Sequence, residues 1–127
     1  MPEQVTLALI VARPGPLRNS LQALMTTVPK IEIVAETDNP SALLRMGDAI
    51  QPDIVLLEAS LSEDDVWAAL RQIQSEWSQT RSIVLVESSH QQQKAQAAGA
   101  DVVLIKGYPA ARLIAAIEEL LHSGSIQ

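Results

Sequence analysis

The 127-residue chain has no cysteine and no phenylalanine, and its other aromatics are two tryptophans and one tyrosine. Without cysteine there is neither a disulfide framework nor a thiolate-held metal. The two histidines, His90 and His122, lie far apart, so no histidine-rich metal site is expected, and no other cofactor either. With so few aromatics, the core must be built from Leu, Ile, Val and Ala. Positive charge is in short supply as well. A formal net charge of −6 argues against a nucleic-acid or anionic-membrane surface on this chain. Met1-Pro2-Glu3-Gln4 is not a basic region leading into an apolar stretch, so a secretion signal is not expected. No apolar run is long enough to cross a bilayer. The expectation is a single soluble, cytoplasmic domain over residues 1–127. Its ordered core should span about 5–122, with 123–127 as a tail or the start of a linker.

What is present is a regular alternation of short apolar runs and helical stripes. Asp53-Ile54-Val55-Leu56-Leu57-Glu58 carries four large apolar residues between acids, as in a strand buried on both faces of a parallel sheet. Val5 to Val11 and Ser82 to Val86 read the same way, as does Asp101 to Ile105. Ile31 to Glu36 alternates in part and suits a strand nearer the edge. Between these strands lie helical stripes. Leu17, Leu21, Leu24, Met25 and Val28 mark the first, with Pro29 as its stop. Ala42, Leu43, Met46, Ala49 and Ile50 mark the second, entered through Asn39-Pro40. The third carries Val66, Leu70, Ile73 and Trp77 after Ser62-Glu63-Asp64-Asp65, which resembles a capping box. Trp67 and Trp77, ten residues apart on that helix, are not expected to point inward together. A short fourth helix has Ala95 and Ala98 inward and Gly99 as its cap. The last follows Pro109, with Leu113, Ile114, Ile117, Leu120 and Leu121 inward. Five strands alternating with five helices predict an α/β fold, a doubly wound five-stranded parallel sheet between helical layers.

In such sheets, ligands bind outside the carboxyl ends of the strands. Ala12 and Arg13 follow the first strand, Glu58 ends the third, Glu87 follows the fourth and Lys106 the fifth. Two carboxylates and two cations should therefore share one crevice and be able to neutralise each other. Ser88, Ser89 and His90 carry no orienting third group, so they read as a polar loop and not as a nucleophile with its base. Arg13 and Arg18 beside Gly15 could hold an anion at a helix start, but a solvated loop is the preferred reading.

The order of elements and these strand ends resemble the receiver domain of two-component response regulators, closest to those that precede LuxR-type helix-turn-helix domains (the LuxR/NarL type). Gln51 to Glu58 matches that family's third strand, and Gly99 to Lys106 matches its fifth. Leu9-Ile10-Val11 with Arg18 and Leu21 matches its first strand and helix, and Leu70 to Ile73 fits its third helix. The resemblance implies a flavodoxin-like (βα)5 sandwich. It also implies a degenerate site. Glu58 stands at the phosphoacceptor aspartate, and Ala12 and Arg13 stand at the two Mg²⁺-binding acids. Glu87 falls at the strand-four hydroxyl and Val103 at the aromatic switch, while Lys106 is the retained lysine.

Phosphoryl transfer to a carboxylate needs a divalent cation held by hard oxygen ligands. Ala12 and Arg13 supply none. The expectation is a pseudo-receiver with no catalytic residue and no metal, acting as a phosphorylation-independent protein-interaction module. One alternative is regulation by an anion or small ligand at an Arg13/Lys106 crevice, and another is a receiver that is still phosphorylated in a phosphorelay. Glu58 could mimic a phosphorylated aspartate or could be held by Arg13 or Lys106. The ion pair is preferred, because the elements that would read out a mimic are missing. The partner would be a protein: a sensor kinase, an output domain or a transcription regulator. The resemblance places homodimerisation on the face of helix four, strand five and helix five, which includes Gln96, Arg112, Glu118, Glu119 and His122.

Overall fold

The computed structural model describes residues 5–60 and 62–125, without the side chains of residues 44, 47–49 and 122–125. Each apolar run is a strand: β1 (Thr6–Val11), β2 (Ile31–Thr37), β3 (Ile54–Glu58), β4 (Arg81–Val86) and β5 (Val102–Ile105). The helices between and after them are α1 (Pro16–Met25), α2 (Leu43–Ile50), α3 (Glu63–Glu76), α4 (Ser89–Ala97) and α5 (Ala110–Ser125). All strand pairs are parallel, in the order β2-β1-β3-β4-β5. The order reverses direction between β1 and β3, the switch point at which such sheets open a crevice.

Alternation along the central strands splits the core in two. Leu9, Val11, Val55, Leu57, Val84 and Val86 pack with Leu43 of α2, with α3, and with Ala95 of α4. Ala8, Ile10, Ile54, Leu56, Ile83 and Leu85 pack on the other face with Leu21 and Met25 of α1 and Leu113 and Ile117 of α5. Burial on both faces is why β3 has no polar alternation. β2 lies at the edge, as its partial alternation predicts.

The amino end of the sheet is closed by acids that precede strands. Asp53 accepts a hydrogen bond from the Leu7 amide and Asp101 one from the Ser82 amide, both at 2.8 Å. Each carboxylate pairs a backbone donor of the neighbouring strand, as the ladder would if it continued.

Several local expectations are corrected. Trp67 and Trp77 are both buried, at 5% and 8% exposure. The helix ends at Glu76, and Trp77 has left helical geometry with φ −124° and ψ 65°, so helical spacing no longer sets its direction. Ser62 is the N-cap of α3 but makes no capping bond to the backbone; its hydroxyl donates to Asp65 Oδ2 at 3.0 Å. The acids of the first turn are there as expected. α1 ends at Met25, short of Pro29, and Val28 is buried beyond it. α2 is entered through a 3-10 turn (Pro40–Ala42) capped by Asn39 Oδ1, which accepts from the Ser41 amide at 2.9 Å. Ala49 of the expected stripe lies outside the described side chains. Gly99 follows α4 at φ +104°, a left-handed position that glycine takes without strain.

Candidate functional site

Strand register decides which side chains meet. Val11 lies opposite Leu57, so Ala12 and Arg13 run beside Glu58. Val86 lies opposite Ile105, so Glu87 runs beside Lys106. Ile54, Leu56 and Glu58 share one side of β3, the side facing α1 and α5.

Among the described residues, three donors from Arg13 and Ser60 hold Glu58. The Arg13 amide donates to Oε1 at 3.0 Å, the Arg13 guanidinium to Oε2 at 3.3 Å and the Ser60 hydroxyl to Oε2 at 2.8 Å. The guanidinium also donates to Ser60 Oγ at 3.2 Å, closing a ring of contacts. The Glu58 side chain is 12% exposed and that of Arg13 60%, so the pair is screened from one side only. Burial pushes the Glu58 carboxyl up. The bonds from the Arg13 amide, the Ser60 hydroxyl and the Arg13 guanidinium, with its charge, outweigh burial and hold it below the usual glutamate value.

The two cations expected at the crevice behave differently. Arg13 pairs with Glu58 and lines a cavity of about 320 Å³ with Pro14, Gly15, Pro16 and Leu17. Lys106 lines a second cavity, of about 460 Å³, together with Glu58, Glu87, Leu17, Leu24, Leu85 and Tyr108. The expected crevice thus brings Glu58, Glu87 and Lys106 together, while Arg13 lines the neighbouring cavity; the apolar wall from Leu17, Leu24, Leu85 and Tyr108 was not foreseen. The signal was present, because Glu58, Glu87 and Lys106 have the same strand parity as Leu56, Leu85 and Leu104, which pack toward α1 and α5.

The other sequence candidates find structural roles. Ala12 is buried, and its carbonyl accepts from Arg18, whose Nε also lies 3.7 Å from Glu36. Arg18 is therefore engaged, which corrects the idea of a free anion-binding arginine beside Gly15. Ser88 caps α4, its hydroxyl accepting from the Gln91 amide at 3.2 Å. Val103 is half-buried and packs against the core on the α3 side. Gln91 is buried and bridges two segments. Its Oε1 accepts from the Glu87 amide at 2.7 Å, and its Nε2 donates to Glu63 at 2.9 Å. Among the described residues, no group of three or more His, Cys, Asp or Glu is placed to hold a metal ion. None of the described helices is long and apolar enough to cross a membrane.

The family model for the response regulator receiver domain matches residues 9–118. The chain belongs to this family. Receiver domains are the signalling modules of two-component systems, and solved receivers share the fold. The response regulatory domain of protein mrkE from Klebsiella pneumoniae is 18% identical with a TM-score of 0.85, the match covering 96% of this chain and 100% of that one. The signal receiver domain of NarL from Mycobacterium tuberculosis is 20% identical with a TM-score of 0.79, over 99% and 100% of the two chains. A two-component response regulator of the LuxR family from Aurantimonas sp. SI85-9A1 is 25% identical with a TM-score of 0.82, over 95% and 87%. No curated protein matches the chain.

Proposed function

We propose that this receiver works without phosphorylation, as a non-enzymatic protein-interaction module in two-component signalling. The observation that carries the reading is the closed contact set around Glu58, in which the Arg13 amide, the Arg13 guanidinium and the Ser60 hydroxyl all donate to one carboxylate. In the receiver pattern, that position belongs to the phosphoacceptor aspartate and the position of Arg13 to a Mg²⁺-binding acid. A guanidinium there contributes no oxygen ligand and repels a cation. Ala12 offers no side-chain ligand at the second acid position. Glu87, at the hydroxyl position, would repel an incoming phosphoryl group, and Val103 supplies no aromatic switch. Only Lys106 keeps its residue type.

The test is direct. After incubation with Mg²⁺ and acetyl phosphate, the intact mass should show no phosphoryl adduct. An adduct that forms on the wild type and disappears in Glu58→Gln would overturn the reading. The same variant addresses mimicry of a phosphorylated state, since a partner that reads the Glu58 charge would bind Glu58→Gln more weakly. Under the ion-pair reading, partner binding is unchanged.

A further inference from the structure

Two opposite charges stand unpaired at an apolar cavity. Glu87 and Lys106 are neighbours across β4 and β5, yet among the described residues neither side chain has an ion pair or hydrogen bond. Both line the cavity of about 460 Å³, whose apolar walls include Leu17, Leu24, Leu85 and Tyr108. That volume falls in the range of roughly 300–1,000 Å³ usual for small-molecule sites, which pair apolar walls with a few fixed polar groups. Glu58, the third charged group on the lining, is already matched by Arg13. What the lining leaves without a protein partner among the described residues is one positive and one negative charge.

This balance selects among ligand classes. An apolar molecule with only an anionic head would meet Lys106 but be repelled by Glu87. One with only a cationic head would meet Glu87 and be repelled by Lys106. A head that carries both charges within a few bonds satisfies each, and an apolar tail fills the space between α1 and the segment after β5. We propose that this cavity binds a small zwitterion with an apolar side chain, of the α-amino acid class. Its carboxylate lies on Lys106 Nζ, its ammonium on the Glu87 carboxylate, and its side chain among Leu17, Leu24, Leu85 and Tyr108. The site deepens the reading proposed above and rests on it, since Glu58 lines the same cavity and a phosphoryl group there would compete for Lys106. It gives the module a chemical input that reaches α1 and the start of α5 together.

Calorimetric titration with L-leucine, L-methionine and L-phenylalanine tests this. Saturable binding of at least one is expected. The deamino and decarboxy analogues of the tightest binder should each bind at least about tenfold more weakly, as loss of one charged hydrogen bond predicts. Lys106→Met and Glu87→Gln should each weaken binding by a similar factor. Both side chains are exposed, so the melting temperature of the unliganded variants should match the wild type. The proposal is overturned if none of the three amino acids gives saturable heat. It is equally overturned if an analogue lacking one charge binds as tightly as its parent, or if binding is unweakened in either variant.

Discussion

Removing the Arg13 side chain would leave Glu58 with the Arg13 amide and the Ser60 hydroxyl but without a counter-charge. The Arg13 side chain is 60% exposed, so the loss in stability near neutral pH should be no more than about 1 kcal/mol. The pH dependence is the sharper signature. A depressed carboxyl pKa contributes stability that is present above the unfolded-state pKa and is lost as pH falls through the folded-state pKa. In Arg13→Ala the folded-state pKa should rise toward the usual glutamate value. The stability gap between wild type and Arg13→Ala should then close on acidification through and below the glutamate range. Urea unfolding at a series of pH values measures it, and a gap constant across that series would rule out the charge as its source. At this scale, the sequence placed Glu58 within reach of Arg13 or Lys106 but could not choose between the two cations. The choice depends on register, which places Arg13 alongside β3 and sets Lys106 two strands away.

Helix ends carry the next level of information. Gly99 sits at φ +104° with its carbonyl accepting from Gln74 Nε2 at 3.0 Å, and an added Cβ would lie 2.3 Å from Gln74 Cδ. Gly99→Ala therefore strains the backbone and forces the Gln74 side chain off its bond. A loss of about 1–3 kcal/mol is expected. Gln74→Ala in the same chain removes the steric part, so the double variant should lose less than the sum of the singles by denaturant unfolding. Strict additivity would show that backbone strain alone is responsible. That Gly99 is a cap was legible, because a glycine between an alanine-rich helix and an apolar strand has few other uses. The burial of Trp77 was not. Helical periodicity speaks only for residues still in the helix, and nothing in the sequence marks Glu76 as the last of them. Ser62 misled for a related reason: a capping pattern fixes which residues are close, and here its hydroxyl turned to Asp65 and away from the backbone.

For the molecule as a whole, the alternation of apolar runs and helical stripes was enough to give the sheet and its two helical layers, because burial on both faces leaves few other arrangements. The strand-end crevice was legible too, but its volume and apolar wall were not, since they depend on how far α1 and the segment after β5 stand from the sheet. The surface poses a different question. On the face of α4, β5 and α5, Gln96, Arg112, Glu118 and Glu119 are exposed, and Ile105 stands out among them as a large apolar side chain at 37% exposure. The His122 side chain lies outside the described residues. If two copies pair through this face, Ile105→Asp should shift sedimentation from dimer to monomer while leaving the melting profile of the monomer intact. A wild type that sediments as a monomer at every concentration would exclude this face as a self-association surface.

The side-chain amide of Gln91, in the first turn of α4, accepts from the Glu87 amide just before that helix and donates to the Glu63 carboxylate at the start of α3. A planar amide cannot lengthen, and this one is buried. Through this group the start of α4 is joined to α3 by one hydrogen bond to the exposed Glu63, so losing the Gln91 amide would free the Glu87 amide and the α3 contact at once.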